Sequence, residues 1–293
     1  MKKLIFLILV LYNIIYANQI IDKKIIQYGF HIESILLSNE KEVRIAIQMW
    51  IQEFLNSKNL EVKVQFYTDE AVMIDDFLVK KRLDIIGFNP IRYIKNKLKL
   101  KSAYNKTMFT FLASKKDYVQ YYLIGSNSRI KKSFLDIKDK SVGIKKSDYS
   151  AKIWFDYFSI KNFNHQYKGL IKSEKNFNKQ SSAIMSLYFK KVDLAVVSKS
   201  TWDTMSELNP VIKKEISIIE KSPLIFASYV GVASNTVSKE TIDLFQKSVK
   251  KVNNTLRGKQ ILSLLKVNKV VFIDSTYLDN LEEFLIKYDK LKN

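Results

Sequence analysis

The chain has 293 residues, a formal net charge of +20, 27% charged and 47% hydrophobic side chains, the make-up of an ordinary globular protein long enough for two domains. It has no cysteine, which excludes disulfides, thiol catalysis and a lipid attached to a cysteine behind a leader. The lysines are dispersed among isoleucine and asparagine rather than gathered in a block, which argues against a nucleic-acid interface and leaves room for a cleft that attracts anions.

Lys2 and Lys3 precede an apolar run, residues 4–15, broken only by Tyr12 and Asn13, and Ile15-Tyr16-Ala17 offers a small-residue cleavage site. This is the pattern of a secretory signal peptide, residues 1–17, and the run falls short of the roughly 20 apolar residues of a membrane span. The mature chain is expected to begin at Asn18, outside the cytoplasm and without an anchor, in the periplasm. Residues 25–28 read as a first strand, followed by a loop over 29–34. Val43, Ile47, Trp50 and Phe54 mark one face of a helix over 41–55. Residues 62–66 alternate as a strand. Thr68 or Asp69 can cap a helix over 71–81 with Val72, Phe77 and Leu78 on its apolar face. A strand over 84–88 is closed by Asn89-Pro90. Strand-like residues 109–113 and 119–124 carry the chain across to a turn at 125–128, a strand within 139–144 and a polar loop at 145–148. A helix over 151–160 follows, with Trp154 and Phe158 four apart. Then come a helix from 178 to 191, a strand at 193–197, a short helix at 202–208 and a strand at 216–219. Ser222-Pro223-Leu224-Ile225 crosses back to a strand at 229–233. A long helical region over 238–265 and an amphipathic helix over 278–291 complete the chain.

One junction occurs twice. Leu78-Val79-Lys80-Lys81-Arg82-Leu83-Asp84-Ile85-Ile86-Gly87-Phe88 and Tyr188-Phe189-Lys190-Lys191-Val192-Asp193-Leu194-Ala195-Val196-Val197 both run from an apolar helical stretch through two lysines to a hydrophobe, an aspartate and a short apolar run. Lysines suit a helix C-terminus, and the apolar run has the length and branching of a buried parallel strand. Two similar α/β units in an exported chain predict a two-lobed α/β protein that holds a small ligand between its lobes. With no low-complexity linker, lobe two (residues 115–224) reads as inserted into lobe one (residues 18–114 and 225–293), the two crossovers acting as a hinge.

Several further segments carry a family resemblance. Phe66-Tyr67-Thr68-Asp69-Glu70-Ala71 looks like a "T-D-Y" segment, Arg82-Leu83-Asp84-Ile85-Ile86-Gly87-Phe88-Asn89 like a "v-D-i-a-w-y-G" strand, and Ser133-Phe134-Leu135-Asp136-Ile137-Lys138-Asp139-Lys140 like "s-l-x-D-L-k-G-K". Ser147-Asp148-Tyr149-Ser150-Ala151 occupies the place of an anion-binding "S-T-S-G" loop, and Ser222-Pro223-Leu224-Ile225 looks like an "s-P-l-I" crossing segment. In this order the pieces resemble the phosphonate-binding family of periplasmic solute-binding proteins, the receptor components of ABC importers, over most of residues 22–285. The resemblance implies an α/β two-lobed periplasmic-binding fold with two hinge crossovers. It also implies a non-enzymatic monomer that binds a small oxyanion, phosphate- or phosphonate-like, and hands it to an ABC permease without cofactor or metal. The same fold can instead present its liganded state to a membrane sensor kinase. There are departures. The Ser/Thr-rich loop is reduced to Ser147, Tyr149 and Ser150, Glu70 replaces the aromatic of "T-D-Y", and Lys179-Gln180 stands where a His-Glu pair is usual. No acidic residue meets a ligand amine near Phe226-Ala227-Ser228, so a phosphonate bearing an amine is not expected.

The candidate site residues lie where helix N-termini point into such a cleft, because their free N–H groups bind anions. Ser147, Tyr149 and Ser150 precede the helix over 151–160, with Lys152 in its first turn. Gln180 and Ser181 begin the next helix, and Thr68 and Glu70 begin the corresponding one in lobe one. Each of these also reads as an ordinary helix cap. Glu70 would repel an anion, so it either meets a donor on the ligand or merely suits the helix dipole. Phe88 and Asn89 sit at the C-terminal end of a parallel strand, where α/β folds bind ligands; Phe88 also reads as core. His31 and His165 lie far apart without metal-like or triad-like neighbours; by analogy His31 falls in the first cleft loop, and it also reads as a surface histidine. No metal, phosphate-loop or nucleophile-elbow motif occurs.

Overall fold

The branched apolar runs assemble into two separate sheets. The computed structural model describes residues 24–32, 40–55, 60–112, 118–128 and 137–292; the signal-peptide expectation and Ser133-Phe134-Leu135-Asp136 lie outside them. Strands β1 (Lys24–His31), β2 (Leu60–Tyr67), β3 (Ile85–Phe88) and β4 (Tyr104–Leu112) begin the first sheet. The chain then builds a second sheet from β5 (Tyr121–Ser126), β6 (Ser141–Lys145), β7 (Ser173–Phe177), β8 (Leu194–Ser198) and β9 (Ile216–Lys221), ordered β7-β6-β8-β5-β9. It returns as β10 (Val230–Ser234) and β11 (Lys269–Ile273), which complete the first sheet in the order β11-β4-β10-β3-β1-β2. In each sheet three strands are parallel, β2-β1-β3 and β7-β6-β8, and an antiparallel strand, β10 or β5, adjoins the third. The two connections between the sheets lie side by side, joined by an antiparallel bridge in which Val119 N donates to Phe226 O at 2.6 Å. The expected two-lobed α/β architecture with two crossovers is thus the one found.

The repeated junction proves to be one structural device used twice. Lys81 and Lys190 both take the left-handed conformation, with φ of 53° and 58°, and each stands three residues before its aspartate. A residue in that conformation ends a helix by bonding its last carbonyls, and Lys190 N and Lys191 N reach Leu187 O and Ser186 O at 2.9 and 2.8 Å. The hydrophobes Leu83 and Val192 are buried. Asp84 then accepts from Gln27 N on β1 at 2.8 Å, and Asp193 accepts from Ser141 N and Ser141 Oγ on β6 at 2.9 and 2.7 Å. The aspartates therefore pin each third strand to its first. Asp193→Ala is expected to cost about 1–3 kcal/mol, since the half-buried Ser141 donors lose their acceptor. A urea titration giving less than about 0.5 kcal/mol, the size of an ordinary surface change, would deny the junction this role.

Helix α1 (Glu40–Trp50) covers one face of the first sheet and ends in a π-helical turn, Ile51–Leu55, rather than continuing as α-helix. Helix α2 (Glu70–Leu78) follows β2, and α3 (Pro90–Leu100) follows β3. Asn89-Pro90 ends β3 as expected and also opens a helix not expected from the sequence: Asn89 Oδ1 accepts from Ile91 N at 3.0 Å and Pro90 takes the first helical position, where its missing N–H and fixed φ are harmless. In the second lobe, α4 (Tyr149–Phe163), the short α5 (Tyr167–Leu170), α6 (Gln180–Tyr188), α7 (Lys199–Leu208) and α8 (Val211–Glu215) flank the sheet. The helical region expected over 238–265 is built as two helices, α9 (Lys239–Asn254) and α10 (Leu256–Leu264), broken at Thr255, whose extended backbone lets its hydroxyl cap α10. The last helix, α11 (Asp279–Lys292), packs on both lobes. Tyr288 Oη donates to Asp156 Oδ2 at 2.7 Å, and the Phe284 ring lies 4.7 Å from that of Tyr157.

Candidate functional site

Three helix N-termini converge between the sheets, and each is capped by its own chain. Asp69 Oδ1 accepts from Ala71 N and Val72 N of α2 at 2.8 and 3.4 Å, Asn89 caps α3, and Asp148 Oδ1 accepts from Ala151 N of α4 at 3.1 Å. α3 and α4 meet directly, for Asn89 Nδ2 donates to Ser150 Oγ at 3.1 Å and both residues are buried.

Beside that contact α3 turns three polar side chains toward the other elements. Arg92 Nη1 donates to Glu70 Oε2 at 2.6 Å and Asn96 Nδ2 to Glu70 Oε1 at 3.0 Å. Glu70, only 8% exposed, is thus a neutralised carboxylate between α2 and α3. Arg92 and Lys95 flank the Tyr149 ring, 4.9 and 5.6 Å from its centroid, and Lys95 Nζ also donates to Tyr149 Oη at 3.0 Å. Cations over an aromatic face are favourably placed. These groups, with His31, Thr68, Asp69, Ala71 and Ile74, line an open cavity of about 440 Å³, the size range of small-molecule sites.

Of the candidates read from sequence, the cavity gathers Thr68, Glu70 and Tyr149. Asn89 and Ser150 are spent on each other beneath it. Phe88 is fully buried and stacks on Tyr93 at 6.0 Å, so it serves the core. Ser147 lies in the tight turn before α4, its carbonyl accepting from Tyr149 N at 3.0 Å. Lys152 pairs with Glu174 at 2.9 Å and reaches Asn176 Oδ1 at 3.3 Å on β7. Gln180 is buried, giving Nε2 to Asp148 Oδ2 at 2.6 Å and accepting from Ser198 N, Ser198 Oγ and Thr201 Oγ1 at 2.7–2.9 Å. Ser181 borders a different hollow, about 450 Å³, between α6 and β7.

The residues missed from sequence are Arg92, Lys95 and Asn96, which belong to the unforeseen α3. Asn89 before Pro90, and Lys97 and Lys99 in the last turn, are the signals that would have found it. Asp148, read as part of a polar loop, is the other. Burial raises its carboxyl above the ordinary aspartate value, opposed by the Ala151 amide, Lys145, Gln180 and Tyr121.

The family model described as ABC transporter, phosphonate, periplasmic substrate-binding protein matches residues 36–277. The chain belongs to this phosphonate-binding family. Members are periplasmic binding proteins rather than enzymes, so this one is a substrate-binding component that takes a small-molecule ligand and partners an ABC permease. Solved structures share its fold. A binding protein of a Pseudomonas aeruginosa ABC phosphonate transporter is 17% identical, with 92% of this chain and 88% of that one covered and a TM-score of 0.68. PhnD1 of Prochlorococcus marinus, solved with methylphosphonate, is 15% identical over 91% and 99% of the two chains, with a TM-score of 0.66. A Xanthomonas citri protein solved with ATP is 10% identical over 92% and 98%, with a TM-score of 0.60. No curated protein matches the sequence.

Proposed function

We propose that this family member binds a small anionic solute in the cavity between α2, α3 and Tyr149. Lobe one, residues 18–114 and 225–293, closes on lobe two, residues 115–224, and the liganded protein is a monomer exported by its leader to the periplasm for presentation to the permease. The observation that carries this reading is the pair Arg92 and Lys95, one turn apart on α3 and facing Tyr149 across the cleft. Each offers further donors to an oxyanion, and the overall charge of +20 favours anion approach. The structure of PhnD1 with methylphosphonate and that of the Xanthomonas citri protein with ATP support an anion as the ligand class.

The test is mass spectrometry of the ligand released from purified protein, followed by calorimetric titration of that compound. Tyr149 is half-buried, so Tyr149→Ala is expected to leave the melting temperature nearly unchanged while weakening binding about tenfold, the value of one lost hydrogen bond to a charged group. Parental affinity in that variant would remove the cavity from consideration.

A further inference from the structure

The N-terminus of α4 is already occupied by a carboxylate. Asp148 is 1% exposed and its two oxygens take three donors: Ala151 N and Tyr121 Oη on Oδ1, each at 3.1 Å, and Gln180 Nε2 on Oδ2 at 2.6 Å. The amides of Tyr149 and Lys152 are spent as well, on Ser147 O at 3.0 Å and Asp148 O at 3.2 Å. The hydroxyl oxygen of Ser150 accepts from Asn89 Nδ2 at 3.1 Å. An oxyanion approaching this helix end finds the amides of Tyr149, Ala151 and Lys152 taken and a buried carboxylate behind them.

Charge around the cavity is balanced. Arg92 and Lys95 face Asp69 and Glu70, and Arg92 is already bound to Glu70. Behind Tyr149, Asp148 is accompanied by Lys145. Such a site accommodates one added negative charge on Lys95 and the free edge of Arg92. Among the described residues that line the cavity, a second charge finds no further lysine or arginine to meet it and is repelled by Asp69 and Asp148.

We infer that Asp148 is a specificity-determining residue, which makes the cleft select a singly charged oxyanion, of the sulfonate or carboxylate class, over a doubly charged phosphonate or phosphate. The inference rests on the cleft reading above and adds the charge of the ligand to it.

Methanesulfonate and methylphosphonate are the probes, because they share a tetrahedral shape and differ by one charge in mildly alkaline buffer. In calorimetric titrations the parent is expected to bind the sulfonate about tenfold more tightly, the effect of one like charge at moderate distance. Asp148→Asn keeps a capping oxygen and removes the charge; Asp148→Ser does so with a hydroxyl, should the first variant fold poorly. Either is expected to close or reverse the gap by improving phosphonate affinity. A parent that prefers the phosphonate, or a gap unchanged in the folded variants, overturns the role of Asp148. Lys95→Gln separates that failure from a failure of the cleft itself. It weakens both probes if the cleft is the site. A parent that binds neither probe, or binding that Lys95→Gln leaves intact, overturns the cleft reading and the role of Asp148 with it.

Discussion

Phe111→Ala is expected to destabilise the protein by about 3–5 kcal/mol, the usual cost of emptying a phenylalanine site in a packed core. Phe111 lies on β4, between β10 and β11, and is 1% exposed. Its ring stacks on Tyr229 at 4.5 Å and meets Trp50 edge-on at 5.7 Å and Phe109 at 6.2 Å. Four large rings, two on β4, one just before β10 and one on α1, thus share one volume, and aromatic pairs contribute beyond their buried area. Little can move in to fill the space. Gly87 already sits against the Tyr229 phenol, with no room for a methyl group, and the Tyr229 hydroxyl is bonded to that of Tyr28. Chemical denaturation at fixed pH measures the loss. A change below about 1 kcal/mol would mean that this core collapses freely, contrary to interiors packed like organic crystals. The cluster holding Phe111 is distinct from the one holding Ile74, which lines the cavity. The folded fraction of the variant is therefore expected to bind ligand with parental affinity, which separates core from cleft.

The parts of this molecule legible in the sequence are those whose physics is local. The doubled lysine, hydrophobe and aspartate identified two equivalent helix-to-strand corners because every requirement of the corner lies within a few residues: a left-handed residue, a buried hydrophobe and an acceptor for the neighbouring strand. The buried strands β3 and β8 were equally plain as short branched runs. β7 was missed because its residues are largely exposed and carry no apolar alternation, and β11 because it is a half-exposed edge strand defined by its partner β4. The site was harder to read, since its meaning lies in tertiary partners. Glu70 read as a charge hostile to anions, but Arg92 and Asn96, 22 and 26 residues away, neutralise and satisfy it. Asp148 read as a polar loop residue, yet Tyr121 and Gln180, 27 and 32 residues away, make it a buried cap. Lys152 read as an anion ligand by its place in a first helical turn, but its partner Glu174 comes from the next strand.

Arg92→Gln is expected to weaken methanesulfonate binding about ten- to hundredfold, because it removes a hydrogen bond from a cationic donor worth roughly 1.5–3 kcal/mol. It also leaves Glu70 buried with Asn96 alone, so part of the effect belongs to stability and must be read from the melting curve. Glu70→Gln separates the two. In the parent, Glu70 holds Arg92 at 2.6 Å and competes with any oxyanion for the same guanidinium. Neutralising it keeps an acceptor for Asn96 but ends the competition, so affinity for the sulfonate is expected to rise severalfold, and less so at high salt, where the charge of a partly exposed Arg92 is screened. The double variant should then bind like Arg92→Gln alone, since Glu70 acts on the ligand only through Arg92; a cycle of the four proteins measures that coupling. A fall in affinity in Glu70→Gln would reverse the assignment. Glu70 would then be receiving a donor from the ligand itself, and the cleft would be built for a solute carrying an N–H or ammonium group beside its anion.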